Sequence, residues 1–264
     1  MTTPFTLIEG EGPVLISVPH ASPSVPEDVA DRLDANGALL ADADWHIDTI
    51  VKGLSGPASK VFAGFHRYVI DANRDPSGAS LYPGQATTEL IPTTDFDGRP
   101  IWKQGAEPTI ADIDERRFSY HAPYHEALAG ELYRLKEAHG IAVLFDVHSI
   151  RSVVPRLFDG RLTDFNVGTD YTKTCAPAFE ELATRLFRQA SDTVLNGRFR
   201  GGWTVRHHGQ PALGVHAVQI EMAQALYMDE APPFGLHADG GAFVGEVLQR
   251  VVDGLTELAG RLKP

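Results

Sequence analysis

The sequence predicts an α/β protein, and three observations lead to that class. Short continuous apolar runs, VLISV at 14–18 and IAVLFDV at 141–147, read as strands buried on both faces. Longer segments of helical period alternate with them, which is the signature of α/β architecture rather than of a β-sandwich. A chain of 264 residues with 43% hydrophobic content and no internal repeat is sized for one core, so a single domain over 1–264 is expected.

Taken in order, residues 14–18 form the first strand, and the Pro/Ser-rich HASPSVP after it turns the chain toward a helix near 27–36. Residues 39–54 read as a second helix with Trp45, Ile50 and Leu54 on its apolar side. Residues 60–63 and 67–70 (RYVI) read as strands. Between Pro76 and Pro108 nine of 33 positions are Gly or Pro, too many for a regular element, so a long loop excursion is expected around 76–110. Tyr124, Leu128, Leu132 and Leu135 follow at steps of four, four and three, one helical stripe for packing on the sheet. Residues 141–147 and 215–220 are further strands, and 241–262 form a closing amphipathic helix. The irregular stretches 151–170 and 196–210 border predicted strands and are placed to meet the excursion at one rim.

Charge and cysteine content exclude several functions. A net charge of −12 and a pI near 5.3 argue against nucleic-acid binding, which needs a basic surface. Cys175 is the only cysteine, so intramolecular disulfides and four-thiolate zinc sites are ruled out and any metal must use His, Asp or Glu. No run of 18 apolar residues and no basic leader with an apolar core occurs, which predicts no membrane partner and a cytoplasmic location. The sequence leaves a homo-oligomer open.

The chemistry collects at strand ends. The first strand runs into His20, RYVI into Asp71, Asn73 and Arg74, IAVLFDV into His148, and VHAVQI into Glu221. In an open α/β sheet ligands bind beyond the carboxyl ends of parallel strands, so these residues are expected in one crevice. His20 and His148 taken singly read as half-buried structural histidines; together they supply two of the three ligands of a catalytic zinc site. DADWHID offers Asp42, Asp44 and Asp48 as the acidic third, with Asp44 preferred and Asp48 the main competitor. Asp146, two residues before His148 on the same strand face, would orient that imidazole. Glu221 is a candidate general base, and Asn73 with Arg74 a donor fork suited to a carboxylate. Arg67, Arg151, Arg198, Arg200 and Arg206 lie near the rim of an otherwise acidic chain. A competing reading takes His46-Ile47-Asp48 as the H-x-D half of a non-haem iron oxygenase site. A third takes the protein as an anion-binding module without catalysis.

In order along the chain, VPHASPSVP, DADWHID, RYVIDANRDP, FDVHSIRS, NGRFRGGWTVRHHGQP and GVHAVQIEMAQALYM resemble the N-formylglutamate amidohydrolase family, the deformylases of histidine breakdown. That family is similar in fold and site logic to zinc carboxypeptidases and aspartoacylase, which implies a single domain with a central mixed β-sheet flanked by helices, a zinc-carboxypeptidase-like, phosphorylase/hydrolase-like fold. In those relatives a glutamate ligand follows the first histidine by three residues, where this chain has Pro23. The resemblance implies Zn2+, or another divalent ion such as Co2+, on His20, Asp44 and His148. It implies Glu221 as general base, Arg67 beside the oxyanion, Asn73 and Arg74 on one substrate carboxylate and Arg206 on the other. The reaction implied is hydrolysis of N-formyl-L-glutamate to formate and glutamate, with deacylation of another N-acyl acidic amino acid as the alternative.

Overall fold

The computed structural model describes residues 3–80, 84 and 87–262. The chain opens with β1 (Phe5–Ile8) and β2 (Val14–Val18), passes through the one-turn α1 (Glu27–Ala30) and the short α2 (Ile47–Lys52), and returns as β3 (Ser59–Ala63). A long excursion, free of regular elements among its described residues, leads to α3 (Ile110–Arg116), a π-helical turn (Arg117–His121) and α4 (Ala122–His139). Then come β4 (Ala142–Ile150), β5 (Phe165–Gly168), α5 (Pro177–Arg188), β6 (Thr193–Leu195), α6 (Trp203–His208), β7 (Val215–Ala223) and α7 (Ala238–Arg261). The strands form one sheet in the order β1-β3-β2-β4-β7-β5-β6. Its centre, β3-β2-β4-β7, is parallel, while β1 on β3 and β5 on β7 run antiparallel, so the sheet is mixed.

The two-residue period of the strands sorts side chains between the faces. Val14, Ile16 and Val18 of β2, with Val143, Phe145 and Val147 of β4 and Val218 and Ile220 of β7, pack against α2, α5 and α7. In α7 the buried Val244, Val247, Leu248, Val251, Val252 and Leu255 recur at three- and four-residue steps. The opposite face carries Leu15, Leu144 and Ala217 and is covered by Tyr124, Leu128, Leu132 and Leu135 of α4. Each fully buried Leu, Val or Ile contributes about 1.5 to 3 kcal/mol of transfer free energy to these two layers. Glu131 interrupts the α4 stripe and is buried at the amino end of β3. It accepts from Ser59 Oγ and from Arg134 Nε (2.8 Å), and Arg134 Nη2 reaches Gly10 O (2.7 Å).

Three expected elements differ. The helix foreseen over 27–36 ends after one turn: the N–H groups of Arg32 and Leu33 bond the carbonyls three residues back (3.0 and 3.1 Å), and that of Asp34 leaves the ladder for Ile101 O (3.0 Å). The helix foreseen over 39–54 is reduced to Ile47–Lys52, since Leu40 and His46 have φ of 51° and 66°, a conformation no α-helix accepts. RYVI is a buried turn closed by Val69 N–H to His66 O (2.9 Å); its β-prone residues mark burial, not pairing. The stretches read as irregular contain β5 and α6, and α5 and the edge strands β1 and β6 were not anticipated. Among the described residues, no helix is long and apolar enough to cross a membrane.

Candidate metal centre and cavity

The α4 face of the sheet changes character along its strands. Every second residue runs from Leu15 to Ser17, from Leu144 through Asp146 to His148, and from Ala217 through Gln219 to Glu221. The register aligns Ser17 with Asp146, Asp146 with Gln219, and His148 with Glu221. A strand that looks wholly apolar therefore delivers acid and imidazole because its inward face turns polar toward the carboxyl edge. β4 and β7 also run past the boundaries expected for them, so His148 and Glu221 are held within paired strands instead of hanging beyond them.

His20 lies two residues beyond β2, and its carbonyl accepts the Asp44 N–H (3.0 Å), which brings the Asp44 carboxylate beside the imidazole. Asp44 Oδ2 lies 3.9 Å from His20 Nδ1 and 3.5 Å from His148 Nδ1, and the two Nδ1 atoms are 3.2 Å apart. All three side chains are buried, and they are the one His/Cys/Asp/Glu group among the described residues whose ligand atoms converge this closely. Tetrahedral ligands about 2.0 to 2.1 Å from a zinc ion stand about 3.4 Å from one another, so the spacing suits such an ion.

The protonation pattern fits as well. His20 Nε2 donates to Asp71 Oδ1 (2.8 Å), and His148 Nε2 to Asp146 Oδ2 (2.7 Å), so each carboxylate fixes the tautomer that turns Nδ1 toward the centre. Asp146 is held in turn by Ser17 Oγ (2.7 Å), which receives the Tyr124 hydroxyl (2.7 Å). Burial, then Arg67, lowers the His20 pKa, keeping that ring neutral. Burial would raise Asp44, but hydrogen bonding to His148 and the charge of Arg67 act against it, and its pKa is lowered. Burial would likewise lower His148, but Asp146 and Asp44 hold it well above the ordinary histidine value. The centre thus favours a positive charge where the three side chains meet. Asp44 Oδ1 is buried with no hydrogen-bond partner, an acceptor suited to a cation.

Beside the centre is a cavity of about 70 Å³, lined on its polar side by Arg67, Asn73, Arg74, His148, Arg198 and Glu221. Burial drives the Glu221 carboxyl up to about 8, with His148 and Arg67 opposing and Asp44 and Asp146 adding to the shift. Arg67 Nη2 lies 2.7 Å from His20 Nδ1 and faces Asp71 Oδ2 (3.3 Å), its guanidinium 4.9 Å from the Phe96 ring centre. Asn73 Nδ2 lies 3.2 Å from His148 Nε2, and its Oδ1 accepts the Thr204 N–H (2.9 Å). Gly202 packs so closely on this amide that a Cβ there would fall 2.2 Å from Asn73 Nδ2. Arg74 is braced by Thr88 O (3.0 Å), Thr88 Oγ1 (2.8 Å) and Asn73 O (3.0 Å).

The other candidates take other places. Asp42 accepts the Tyr68 hydroxyl and the Phe96 N–H, each at 2.9 Å, and burial lifts its pKa to about 6; it fastens the excursion over the cavity. Asp48 pairs with Lys52 (2.7 Å) and His46 meets the Phe234 carbonyl (2.6 Å), so the H-x-D pair is split between unrelated partners. Arg206 is not brought to the cavity: its Nε donates to Gly201 O (2.9 Å) and its Nη2 faces Asp170 (3.4 Å). Arg151 is drawn to Asp97 (3.0 Å). The sequence reading assigned no role to Asp71, Ser17 or Phe96. The available signals were the Asp-x-Asn spacing of an Asx turn, closed here by Asn73 N–H to Asp71 Oδ1 (2.9 Å), and a lone hydroxyl inside VLISV.

A sequence model of the N-formylglutamate amidohydrolase family matches residues 12–228. An N-formylglutamate deformylase of Pseudomonas aeruginosa is 44% identical over 256 residues, covering 93% of each chain. One of Pseudomonas putida is 42% identical over 252 residues, covering 94% of this chain and 93% of that one. Among solved structures, an N-formylglutamate amidohydrolase from Ralstonia eutropha JMP134 superposes with a TM-score of 0.83 at 24% identity over 98% of this chain and 99% of that one. The gene product Atu2144 of Agrobacterium tumefaciens gives 0.69 at 19% identity over 96% and 95%. At these identities the two structures speak to the fold.

Proposed function

This chain belongs to the N-formylglutamate amidohydrolase family, and from that premise we propose that it hydrolyses N-formyl-L-glutamate to formate and L-glutamate with a bound divalent metal. The observation that carries the metal-dependent reading is the meeting of His20 Nδ1, His148 Nδ1 and Asp44 beside a buried Glu221. An ion on those three ligands, zinc or cobalt, would lower the pKa of a water toward neutrality and polarise the formyl oxygen. Glu221, its pKa raised by burial, takes the proton of the attacking water and passes it to the departing amine. Arg67 directs its guanidinium at the same point and stabilises the oxyanion as the formyl carbon becomes tetrahedral. Asn73 and Arg74 hold the carboxylate nearest the scissile amide, and Phe96, fastened by Asp42, keeps bulk water from the reacting atoms. The whole chain acts as one amidohydrolase domain of zinc-carboxypeptidase-like site logic, in the cytoplasm, on a small anionic substrate from histidine breakdown.

Purified protein, assayed for metal content and for formate release, tests this reading. About one divalent ion per chain and a preference for N-formyl-L-glutamate over N-acetyl-L-glutamate and N-formyl-L-aspartate are expected. Preferred cleavage of the acetyl compound moves the assignment to another N-acyl acidic amino acid. Full turnover in His20→Ala and His148→Ala removes the metal site.

A further inference from the structure

We infer that Arg198 binds the side-chain carboxylate of the substrate and so sets the preference for a glutamate skeleton, an assignment that rests on the functional reading above. An N-formyl dicarboxylic amino acid has one carboxylate on the carbon that bears the amide and a second beyond two methylenes. Its site therefore needs two cationic contacts at different depths, with apolar wall between them.

Three arginines line the cavity, Arg67, Arg74 and Arg198. Arg67 is engaged with His20 and Asp71 at the metal end. Arg74 adjoins Asn73, which touches His148, and its guanidinium lies 3.7 Å from Asp71, the carboxylate that holds His20. That places it beside the amide-bearing carbon. Arg198 comes from a separate segment, between β6 and α6. Its Nε donates to Leu157 O (2.6 Å), and its guanidinium carbon stands 5.4 Å from the Phe199 ring centre. Leu157, Phe199 and Ile150 line the cavity together and belong to an apolar cluster separate from the two layers of the sheet, which gives methylenes a wall beside Arg198.

The backbone on either side of Arg198 is pinned. Asn196, with φ of 50°, accepts the Thr169 N–H on its Oδ1 (2.9 Å), and Gly202 N–H donates to Gln219 Oε1 of β7 (2.7 Å). Because Gly202 also presses on the Asn73 amide, the spacing between the Asn73-Arg74 fork and Arg198 is fixed by contact and not by a free loop. Arg206, the arginine singled out from sequence for this role, is turned to Asp170 instead.

The test compares kcat/KM on N-formyl-L-glutamate and N-formyl-L-glutamine for the wild type, Arg198→Gln and Arg198→Lys. The second substrate keeps the formyl amide and the first carboxylate and replaces the distal one with a neutral amide. Arg198→Gln should lose about 30-fold or more on the glutamate compound, the range for removing one partner of a desolvated charge pair, and much less on the glutamine compound. The lysine variant should fall between, since an ammonium keeps the charge without the planar fork. The ratio of the two kcat/KM values does not depend on how much of a variant is folded. An unchanged ratio in both variants overturns the assignment. A wild type inactive on N-formyl-L-glutamate overturns the functional reading itself, and this is seen before any variant is made.

Discussion

Lowering the pH from 7 to 5 should draw stability from this fold at its buried histidines, which the molecule holds in neutral form. His66, His125 and His208 are all buried. Burial, joined by the charge of Arg67 near His66 and of His207 near His208, pushes those two imidazoles down to about 3 each. Burial, with His121 and His208 as neighbours, takes His125 well below the ordinary value. Above pH 6.5 these rings are neutral whether the chain is folded or not, and they contribute no pH dependence. Below it the unfolded chain takes up protons that the folded chain refuses, so the contribution of these rings falls with pH, for His66 and His208 until they titrate near 3 in the folded chain. Each such histidine costs about 1.4 kcal/mol per pH unit, so the two held near 3 cost about 4 kcal/mol between pH 6.5 and 5, and His125 adds in the same direction; Glu221 and Asp42, raised by burial to about 8 and about 6, protonate first in the folded chain and offset about 3 kcal/mol of this. Domains typically have only about 5 to 15 kcal/mol in total. Urea unfolding at several pH values, at one fixed zinc concentration, measures the slope in the wild type and in His208→Gln. Glutamine keeps an N–H for His125 Nδ1, which His208 Nε2 contacts at 3.0 Å, yet cannot titrate. The variant should lose about one proton's worth of slope, while ligand protonation at the metal centre affects both proteins alike. Equal slopes in the two proteins would refute the reasoning.

Two further outcomes follow from the site. Glu221→Gln should retain metal while kcat falls by about 100-fold or more, the range for losing a general base; near-normal kcat would leave Glu221 a structural residue. Asp146→Asn should weaken zinc affinity about 10- to 100-fold in a chelator competition, because the amide no longer fixes the His148 tautomer, and unchanged affinity would make the Ser17–Asp146–His148 chain scaffolding only.

The central strands and both long helices could be read directly, since unbroken apolar runs and three-to-four spacing report burial, which is what drives those elements. Short elements could not. β5 and β6 have four and three residues, too few to show a period, and they exist because β7 and β5 supply neighbours for their hydrogen bonds. The truncation of the helix before His46 depends on positive φ at Leu40 and His46, which neither residue type announces. In the candidate site, His20, His148 and Glu221 stood out because polar residues at the end of apolar strands are costly, whereas Asp44 came from DADWHID with Asp42 and Asp48 as competitors. Arg198 and Arg206 were indistinguishable in NGRFRGGWTVRHH. Their separation is decided by a 3.4 Å approach to Asp170 in one case and by the Leu157 carbonyl in the other, contacts between segments far apart in sequence.

The buried Glu131 and Ser59, with the half-exposed Arg134, close the amino edge of the sheet, whereas each group assigned a chemical role stands at the carboxyl edge. From Ala142 to His148 along β4 is about 20 Å. Substitutions that far apart, without shared partners, combine additively to within a few tenths of a kcal/mol. For an engineer seeking a hardier biocatalyst, the molecule therefore has two ends that can be varied on separate schedules. Libraries around Gly10, Ser59 and Arg134 can be screened for heat tolerance alone, and those around Arg74, Phe96 and Arg198 for substrate range alone, before the best of each are joined in one chain.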